Sequence, residues 1–317
     1  MASLIGLSRL TGNTPLIELE SLSHRCGHRI LGKCEFLNPN GSVKDRIALA
    51  MIKAAEKRGS LIPGKSTIVE ATAGNTGIAL AALGAARNYK VVVTVSSKMS
   101  AEKIALMKGW GAEVVVCPYG VPRDARENYI RTAQILAADQ ADHYFLDQFS
   151  NLANLASHYA NTAPEIWRQA QSNVDAVVAG VGTGGTLMGI ARYARSLGCA
   201  TRIVLADPVG SVLAAAVHGR SVEPGKYRIE GIGDDFLPPL FDPTIVTDAL
   251  SITDDEAISE CLALRRAEGL LVGTSSGCAI AAALTFAESL GPERRTIVVV
   301  LPDTGRNYLS SVYSIHA

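Results

Sequence analysis

Apolar positions along this chain fall into two alternating patterns. Short unbroken runs of β-branched side chains, such as Val91–Val95 (VVVTV) and Ile297–Leu301 (IVVVL), read as strands covered on both faces. Between them, Ala and Leu recur at helical spacing. The alternation predicts an α/β fold with a mostly parallel sheet. In order, it gives strand Thr67–Thr72, helix Ile78–Arg87, strand Val91–Val95, helix Ala101–Trp110 and strand Glu113–Cys117. A second series follows Gln148: helix Ala153–Gln171, strand Ala176–Val181, helix Leu187–Leu197, strand Arg202–Ala206, helices Asp254–Glu268 and Ala279–Leu290, and strand Thr296–Leu301. The organisation expected is two α/β units joined near residue 150. Tyr119–Glu127 (YGVPRDARE) reads as a surface loop, and no internal repeat is visible.

Four stretches interrupt this regularity with residues that suit chemistry. Gly182-Thr183-Gly184-Gly185-Thr186 sits between a strand and a helix. Its glycines let backbone N–H groups close around an anion, the helix dipole assists, and the Thr183 and Thr186 hydroxyls can complete a cradle. Neither a Walker A lysine nor GxGxxG spacing is present, so a monoester phosphate fits better than a nucleoside triphosphate or dinucleotide. A turn without any ligand is the competing reading. Asn38–Arg46 (NPNGSVKDR) starts a helix at Ser42, with Asp45 three residues on in a capping-box pattern. Lys44 then lies in the first turn, where the positive helix end disfavours protonation and suits the amine to Schiff-base chemistry; an ordinary solvated lysine is the alternative.

Thr72-Ala73-Gly74-Asn75-Thr76-Gly77 forms another anion-seeking turn, suited to a carboxylate, with the Asn75 amide able to bond a phenolic oxygen. A plain tight turn explains it equally. In Gly273–Gly277 (GTSSG), a neutral hydroxyl could face a ring nitrogen, or Ser275 or Ser276 could simply cap the following helix.

Composition narrows the class of protein. The 317 residues carry 30 Lys+Arg against 30 Asp+Glu, which removes the electrostatic footprint of a nucleic-acid binder. No apolar run approaches the length of a membrane helix, and the N-terminus lacks a long apolar region, so a soluble chain without a membrane partner is expected. Six cysteines form no CxxC pair and have no zinc-finger histidine spacing; they read as small buried hydrophobes of a reducing cytoplasm, and no metal site is expected. Cys26 near His28 makes at most a weak metal or haem site.

A Schiff-base lysine, a phosphate cradle and a carboxylate turn together describe a pyridoxal-phosphate enzyme. NGSVKDR, EATAGNTG, GTGGT, EGIGDDFLP (Glu230–Pro238) and GTSSG stand in the order seen in the cysteine synthase and cystathionine β-synthase family, which the chain resembles from about residue 5 onward. TGNTPL (Thr11–Leu16) and LDQFSNLAN (Leu146–Asn154) are similar to that family too. The resemblance implies two doubly wound α/β domains of fold type II, like the tryptophan synthase β chain, with pyridoxal 5′-phosphate in the cleft between them. Residues 36–150 would form the smaller, mobile domain with the lysine and substrate loop; residues 1–35 and 151–317 would form the larger domain with the phosphate loop.

By the same resemblance Lys44 would carry the cofactor as a Schiff base, Gly182, Thr183, Gly184, Gly185 and Thr186 would hold its phosphate, Asn75 its 3′-oxygen, and Ser275 would face its pyridine nitrogen. Thr72, Thr76 and Gln148 would bind the carboxylate of an amino-acid substrate, with Ala73, Gly74 and Gly231 also in the substrate set. The implied reaction is β-replacement on an activated serine, O-acetylserine first, through an aminoacrylate intermediate to which a sulfur nucleophile adds. Homocysteine gives cystathionine and sulfide gives cysteine. A homodimer is implied as well.

Ala73 departs from the family pattern, where many members carry Ser, and removes one hydroxyl from the substrate loop. It keeps open an amine nucleophile, as in making diaminopropionate from O-phosphoserine. Asp207–Ser211 (DPVGS) and Glu230–Pro238 resemble the cystathionine branch, whereas Gln148–Asn151 resembles the cysteine synthase branch. Arg123 and Arg126 are candidates to meet a second substrate's carboxylate, against the plainer reading of solvated loop charges. The chain has no room for the C-terminal regulatory pair or N-terminal haem extension of long cystathionine β-synthases, so regulation by those routes is not expected. A catalytically silent binding protein on the same fold is the reading from another class.

Overall fold

The computed structural model of the protein describes residues 6–314. Ten strands among them build two sheets: β1 (Leu16–Glu18), β2 (Arg29–Cys34), β3 (Thr67–Ala71), β4 (Lys90–Ser96), β5 (Glu113–Cys117), β6 (His143–Phe145), β7 (Ala176–Gly180), β8 (Arg202–Pro208), β9 (Asp248–Ile252) and β10 (Thr296–Leu301). The described chain divides into two compact units. One comprises residues 6–12 and Asn38–Asn154, the other Asn13–Leu37 and residues 155–314. Residues 6–12 thus group with the first unit, where the Gly12 amide donates to Asn38 Oδ1 (2.8 Å). The next residue belongs to the second, its amide donating to Glu165 Oε1 (2.9 Å).

The first unit holds a parallel sheet ordered β5-β4-β3-β6. Alternation along the strands feeds a core on each face. Ile68, Val91, Val93 and Val95 pack with Ile47 and Met51 of helix Lys44–Lys57 and Ile78 and Leu80 of helix Asn75–Ala86. Val69, Ala71 and Val92 face Ile130 and Ala133 of helix Tyr129–Ala138. Runs with no polar alternation are what two covered faces demand.

The second sheet is ordered β1-β2-β10-β7-β8-β9, parallel except for the antiparallel edge strand β1. Val178, Val204 and Val299 meet helices Asp254–Glu268 and Thr274–Glu288 on one face. Val177, Leu205 and Val298 meet helices Ala163–Gln169 and Gly185–Ser196 on the other. Gly277 lets the alanine-rich helix press on its neighbour: a Cβ there would stand 2.0 Å from the Ala257 carbonyl oxygen. No helix among the described residues is long and apolar enough to cross a membrane.

Two strands and one helix match their predicted bounds, Glu113–Cys117, Thr296–Leu301 and Asp254–Glu268. Strands β1, β2, β6 and β9 and helix Tyr129–Ala138 are absent from the sequence reading. β1 and β6 are three residues long, too short for a period to register. Helix Tyr129–Ala138 did carry a signal, the Asn128 side chain that accepts from the Ile130 amide (3.0 Å).

The helix expected over Ala153–Gln171 is interrupted. It runs Leu152–Ser157, then a π-helical turn His158–Thr162, then Ala163–Gln169. Pro164 lacks the N–H that would close on the Ala160 carbonyl, and the Ala163 amide bonds His158 O instead. Of the cysteines, Cys34, Cys117, Cys261 and Cys278 are buried as expected, while Cys26 is half-buried and Cys199 exposed. His28 Nδ1 accepts from the Arg295 amide (3.2 Å) and the Cys26 thiol donates to the His28 carbonyl (3.8 Å), so both take part in the fold itself.

Two stability outcomes follow from buried charge in the second unit. Lys33 is fully buried, and its Nζ donates to Thr14 O (2.7 Å), Glu165 Oε2 (2.8 Å) and Gln169 Oε1 (2.9 Å). Glu165→Leu strands a buried cation and should cost about 3–5 kcal/mol in urea unfolding, most of it recovered by adding Lys33→Met. Asp207 is buried, and burial raises its pKa from 3.8 to about 6 despite help from the Ala214 amide (2.8 Å) and Ser211. Between those two values the folded protein keeps a proton that the unfolded chain has lost, so stability falls as pH rises through that window, by about 3 kcal/mol. Asp207→Asn should flatten that slope when unfolding is compared at pH 5 and 7.5.

Candidate active site

In the first unit, Lys44 is the half-buried first residue of helix Lys44–Lys57. The expected capping box does not form. Ser42 Oγ accepts from the Lys44 amide (3.2 Å), and the buried Asp45 carboxylate turns back to accept from the Asn40 amide (2.7 Å). Asp45 therefore fixes the turn ahead of the lysine.

Thr72 Oγ1 accepts from the amides of Gly74 (3.0 Å) and Gly77 (3.3 Å). With both acceptor positions occupied, its hydroxyl proton is left to be donated. Gly74, at φ +135°, swings the chain into helix Asn75–Ala86 and sits so close to Lys103 that a Cβ would stand 2.8 Å from that side chain's Cδ. Thr76 donates to Gln148 Oε1 (2.7 Å), and Gln148 Nε2 donates to Ala71 O (2.7 Å), so Gln148 joins the strand end to the helix start. Ala73 is exposed and Asn75 half-buried. The structure thus brings Thr72, Thr76 and Gln148 together. Arg123 and Arg126 are exposed and line shallow hollows with Asp124 and Arg131.

In the second unit, β7 runs into Gly182–Thr186. Gly184 takes φ +89° to open helix Gly185–Ser196. A Cβ on Gly182 would lie 2.6 Å from the Gly231 carbonyl oxygen, and one on Gly184 would lie 2.9 Å from the Phe241 amide nitrogen. Both clashes are with backbone, so glycine is required here. Gly231 itself is exposed at φ +82°. Its neighbour Glu230 donates its amide to Thr274 Oγ1 (3.0 Å), linking that segment to the GTSSG turn.

Helix Thr274–Glu288 begins inside that motif, five residues before its predicted start. Gly273, not a serine, is its N-cap, and no side chain caps it. Ser275 is buried and makes no hydrogen bond among the described residues; Ser276 Oγ is buried and unpartnered. The capping role open to these serines in the sequence is therefore not the one they play.

A common feature joins the four motifs. Lys44, Asn75, Gly185 and Thr274 each begin a helix of twelve or more residues, and none of the four has a side-chain N-cap. Helix Asp254–Glu268, of similar length, has a complete capping box from Thr253 and Glu256. Ser42 Oγ meets one of these first-turn amides, at Lys44, and Thr72 Oγ1 another, at Gly77, while each start still turns the positive end of its helix toward an anion or a polar ligand.

The sequence matches the family described as pyridoxal-phosphate dependent enzyme over residues 7–303. The chain belongs to that family. It is 43% identical over 305 residues to cystathionine beta-synthase of Apis mellifera, covering 96% of this chain and 60% of that protein. For the Rattus norvegicus enzyme of the same name the identity is 41% over 308 residues, covering 96% and 54%. The chain thus spans little more than half the length of these relatives. Among solved structures, O-ureido-L-serine synthase matches with a TM-score of 0.89 and 33% identity, covering 97% of this chain and 94% of that one.

The residues present fit the family's cofactor, pyridoxal phosphate. A phosphate suits the cradle at Gly182–Thr186, where a Cβ on Gly182 or Gly184 would intrude on neighbouring backbone. Lys44 supplies a primary amine at a helix start, and Ser275 a hydroxyl that makes no hydrogen bond among the described residues.

His158 was missed from sequence. It is buried in the π-helical turn; its Nε2 lies 3.2 Å from Thr186 Oγ1 and its Nδ1 2.9 Å from Thr162 Oγ1. Nothing local marks a lone histidine in a helical run. Pro164 six residues on was the available hint that the helix is broken there. The cradle makes a clean prediction. Gly184→Ala should weaken pyridoxal phosphate binding about tenfold or more in a fluorescence titration. Gly198→Ala, also at positive φ (+67°) but with nothing within 4 Å, should cost about 1 kcal/mol of stability and leave binding unchanged.

Proposed function

We propose that the protein catalyses β-replacement on an activated serine, with O-acetylserine as the first candidate and homocysteine as the favoured nucleophile, giving cystathionine; sulfide would give cysteine. The observation that carries this reading is the Thr72–Gly77 turn. It offers the Thr72 hydroxyl proton and the positive end of helix Asn75–Ala86 to a carboxylate, in the same unit as Lys44. The identity to cystathionine beta-synthases supports it.

When bound, pyridoxal phosphate supplies a carbonyl for the substrate's amine and an electron sink for charge developing at the α-carbon. Thr72, Thr76 and Gln148 fix the substrate's carboxylate, with Ala73, Gly74 and Gly231 beside it. Lys44 takes the proton from the α-carbon as the β-substituent departs with its bonding pair. After the nucleophile adds at the β-carbon, the same amine returns a proton to the α-carbon. Asn75 orients the cofactor's phenolic oxygen. Ser275 offers the ring nitrogen a neutral partner, which stabilises less charge than a carboxylate would and suits elimination at the β-carbon. Gly182–Thr186 anchors the phosphate so that these groups keep their positions. In this reading the first unit carries the lysine and substrate loop, the second the phosphate cradle, and the working form is a homodimer.

A second reading has a nucleophile other than sulfur. O-ureido-L-serine is a serine substituted on oxygen, and the synthase named for it matches nearly end to end. Ala73, with no hydroxyl, gives the substrate loop room for a different second substrate.

Product analysis separates the two readings. With pyridoxal phosphate and O-acetylserine, homocysteine should give cystathionine with kcat/KM about tenfold above sulfide or an amine. If only a non-sulfur nucleophile turns over, the second reading holds. Lys44→Ala should lose about 10³-fold in rate. After borohydride treatment the peptide spanning position 44 should carry no attached cofactor in that variant, whereas the unsubstituted protein should show attachment at Lys44.

A further inference from the structure

Glu70 is a fully buried carboxyl in β3, two residues before Thr72. Its Oε1 accepts from the Ala71 amide (3.0 Å) and, at a longer 3.5 Å, from the Gln148 amide; Oε2 has no partner. Burial pushes its pKa well above the usual carboxylate range, and the Asp147 charge pushes further in the same direction, against the pull of the Gln148, Ala71 and Asp147 amides. A hydrophobe would cost less at such a position, so the carboxyl calls for a reason.

The turn it touches suggests one. In residues 146–154 several polar groups are satisfied locally. The amides of Ser150 (3.1 Å) and Asn151 (2.9 Å) donate to Asp147 O, Asn151 Nδ2 to Leu146 O (2.8 Å), and Asn154 Nδ2 to Gln148 O (2.9 Å). Asp147, at φ +53°, aims the next amide out of the turn toward β3, and Glu70 is the acceptor that receives it. Gln148 then spends its side chain on Ala71 O and Thr76 Oγ1.

We infer that Glu70 is a positioning residue whose carboxyl holds the Gln148 backbone and thereby sets the Gln148–Thr76 arm of the substrate loop. This rests on the reading of Thr72–Gly77 as the site for a substrate's carboxylate. Glu70 touches neither substrate nor cofactor; it acts through Gln148. Its neutral form is sufficient, because accepting an amide requires only a carbonyl oxygen.

Three variants test this in the cofactor-loaded enzyme. Glu70→Gln keeps a neutral acceptor of the same length and should retain KM for the amino-acid substrate within about twofold. Glu70→Met removes the acceptor and should raise KM about tenfold with kcat within about twofold. Glu70→Asp draws the carboxyl back by one methylene and should fall between them; it also carries the test if the methionine variant does not fold. Hydrogen–deuterium exchange of residues 146–151 should quicken in Glu70→Met or Glu70→Asp and match the parent in Glu70→Gln.

An unchanged KM in both Met and Asp variants overturns the inference. So does a Gln variant as impaired as these, or one that loses kcat, which would make the ionised carboxylate the working form. Thr76→Val, measured in parallel, checks the underlying reading. If its KM is unchanged, the loop does not bind the substrate's carboxylate, and the exchange rates alone then decide whether Glu70 holds the turn.

Discussion

Unmet amide donors at helix starts are the constraint around which this chain is organised. An α-helix leaves its first N–H groups without partners, and most proteins quench them with a Ser, Thr, Asp or Asn side chain. This chain does so at three helices away from the four motifs: Ser100 accepts from Lys103 N, Asn128 from Ile130 N, and Thr253 with Glu256 closes a full box. At Lys44, Asn75, Gly185 and Thr274 it does not. Near those starts Ser42 and Thr72 each meet an amide from outside the N-cap position, and Ser275 makes no hydrogen bond among the described residues. A missing cap reduces helix stability, and long helices seated on well-covered sheets tolerate the loss.

Those seats are made by absent side chains as much as by present ones. Gly182 and Gly184 admit neighbouring backbone where a methyl would clash. Gly189 does the same for the π-helical turn, where a Cβ would stand 2.8 Å from Leu155 O and 2.9 Å from Tyr159 N. That close approach lets His158 reach Thr186 from a neighbouring helix. The interruption that Pro164 imposes on the helix and the glycine that accommodates it therefore work as a pair, and the polar contact between His158 and Thr186 is their product.

Legibility from sequence followed the physical range of each signal. Long β-branched runs and alanine-rich periods are local, and they gave β5, β10 and helix Asp254–Glu268 to the residue. The motif residues were also legible, because glycines at strand-to-helix turns and a lysine in a first turn imply chemistry by type and place. What stayed hidden was set by distant partners. β1 registers as a strand only beside β2, and the Asn13 amide meets Glu165 from 152 residues away. The serines of GTSSG were ambiguous for the same reason, since no local pattern says whether a hydroxyl will find a partner.

The route of the chain through its two units has a consequence for the order in which they can form. All of the first unit has been made once Asn154 has emerged, and its sheet pairs only strands from β3 to β6. In the second, β2 is made early yet lies between β1 and β10, with Arg29 opposite Thr296. During synthesis one side of β2 must wait, unpaired, until β10 has emerged, and contacts so distant in sequence close slowly. A ribosome-bound chain would thus hold one finished sheet and one open edge, and the nascent protein's exposure to aggregation is concentrated on β2.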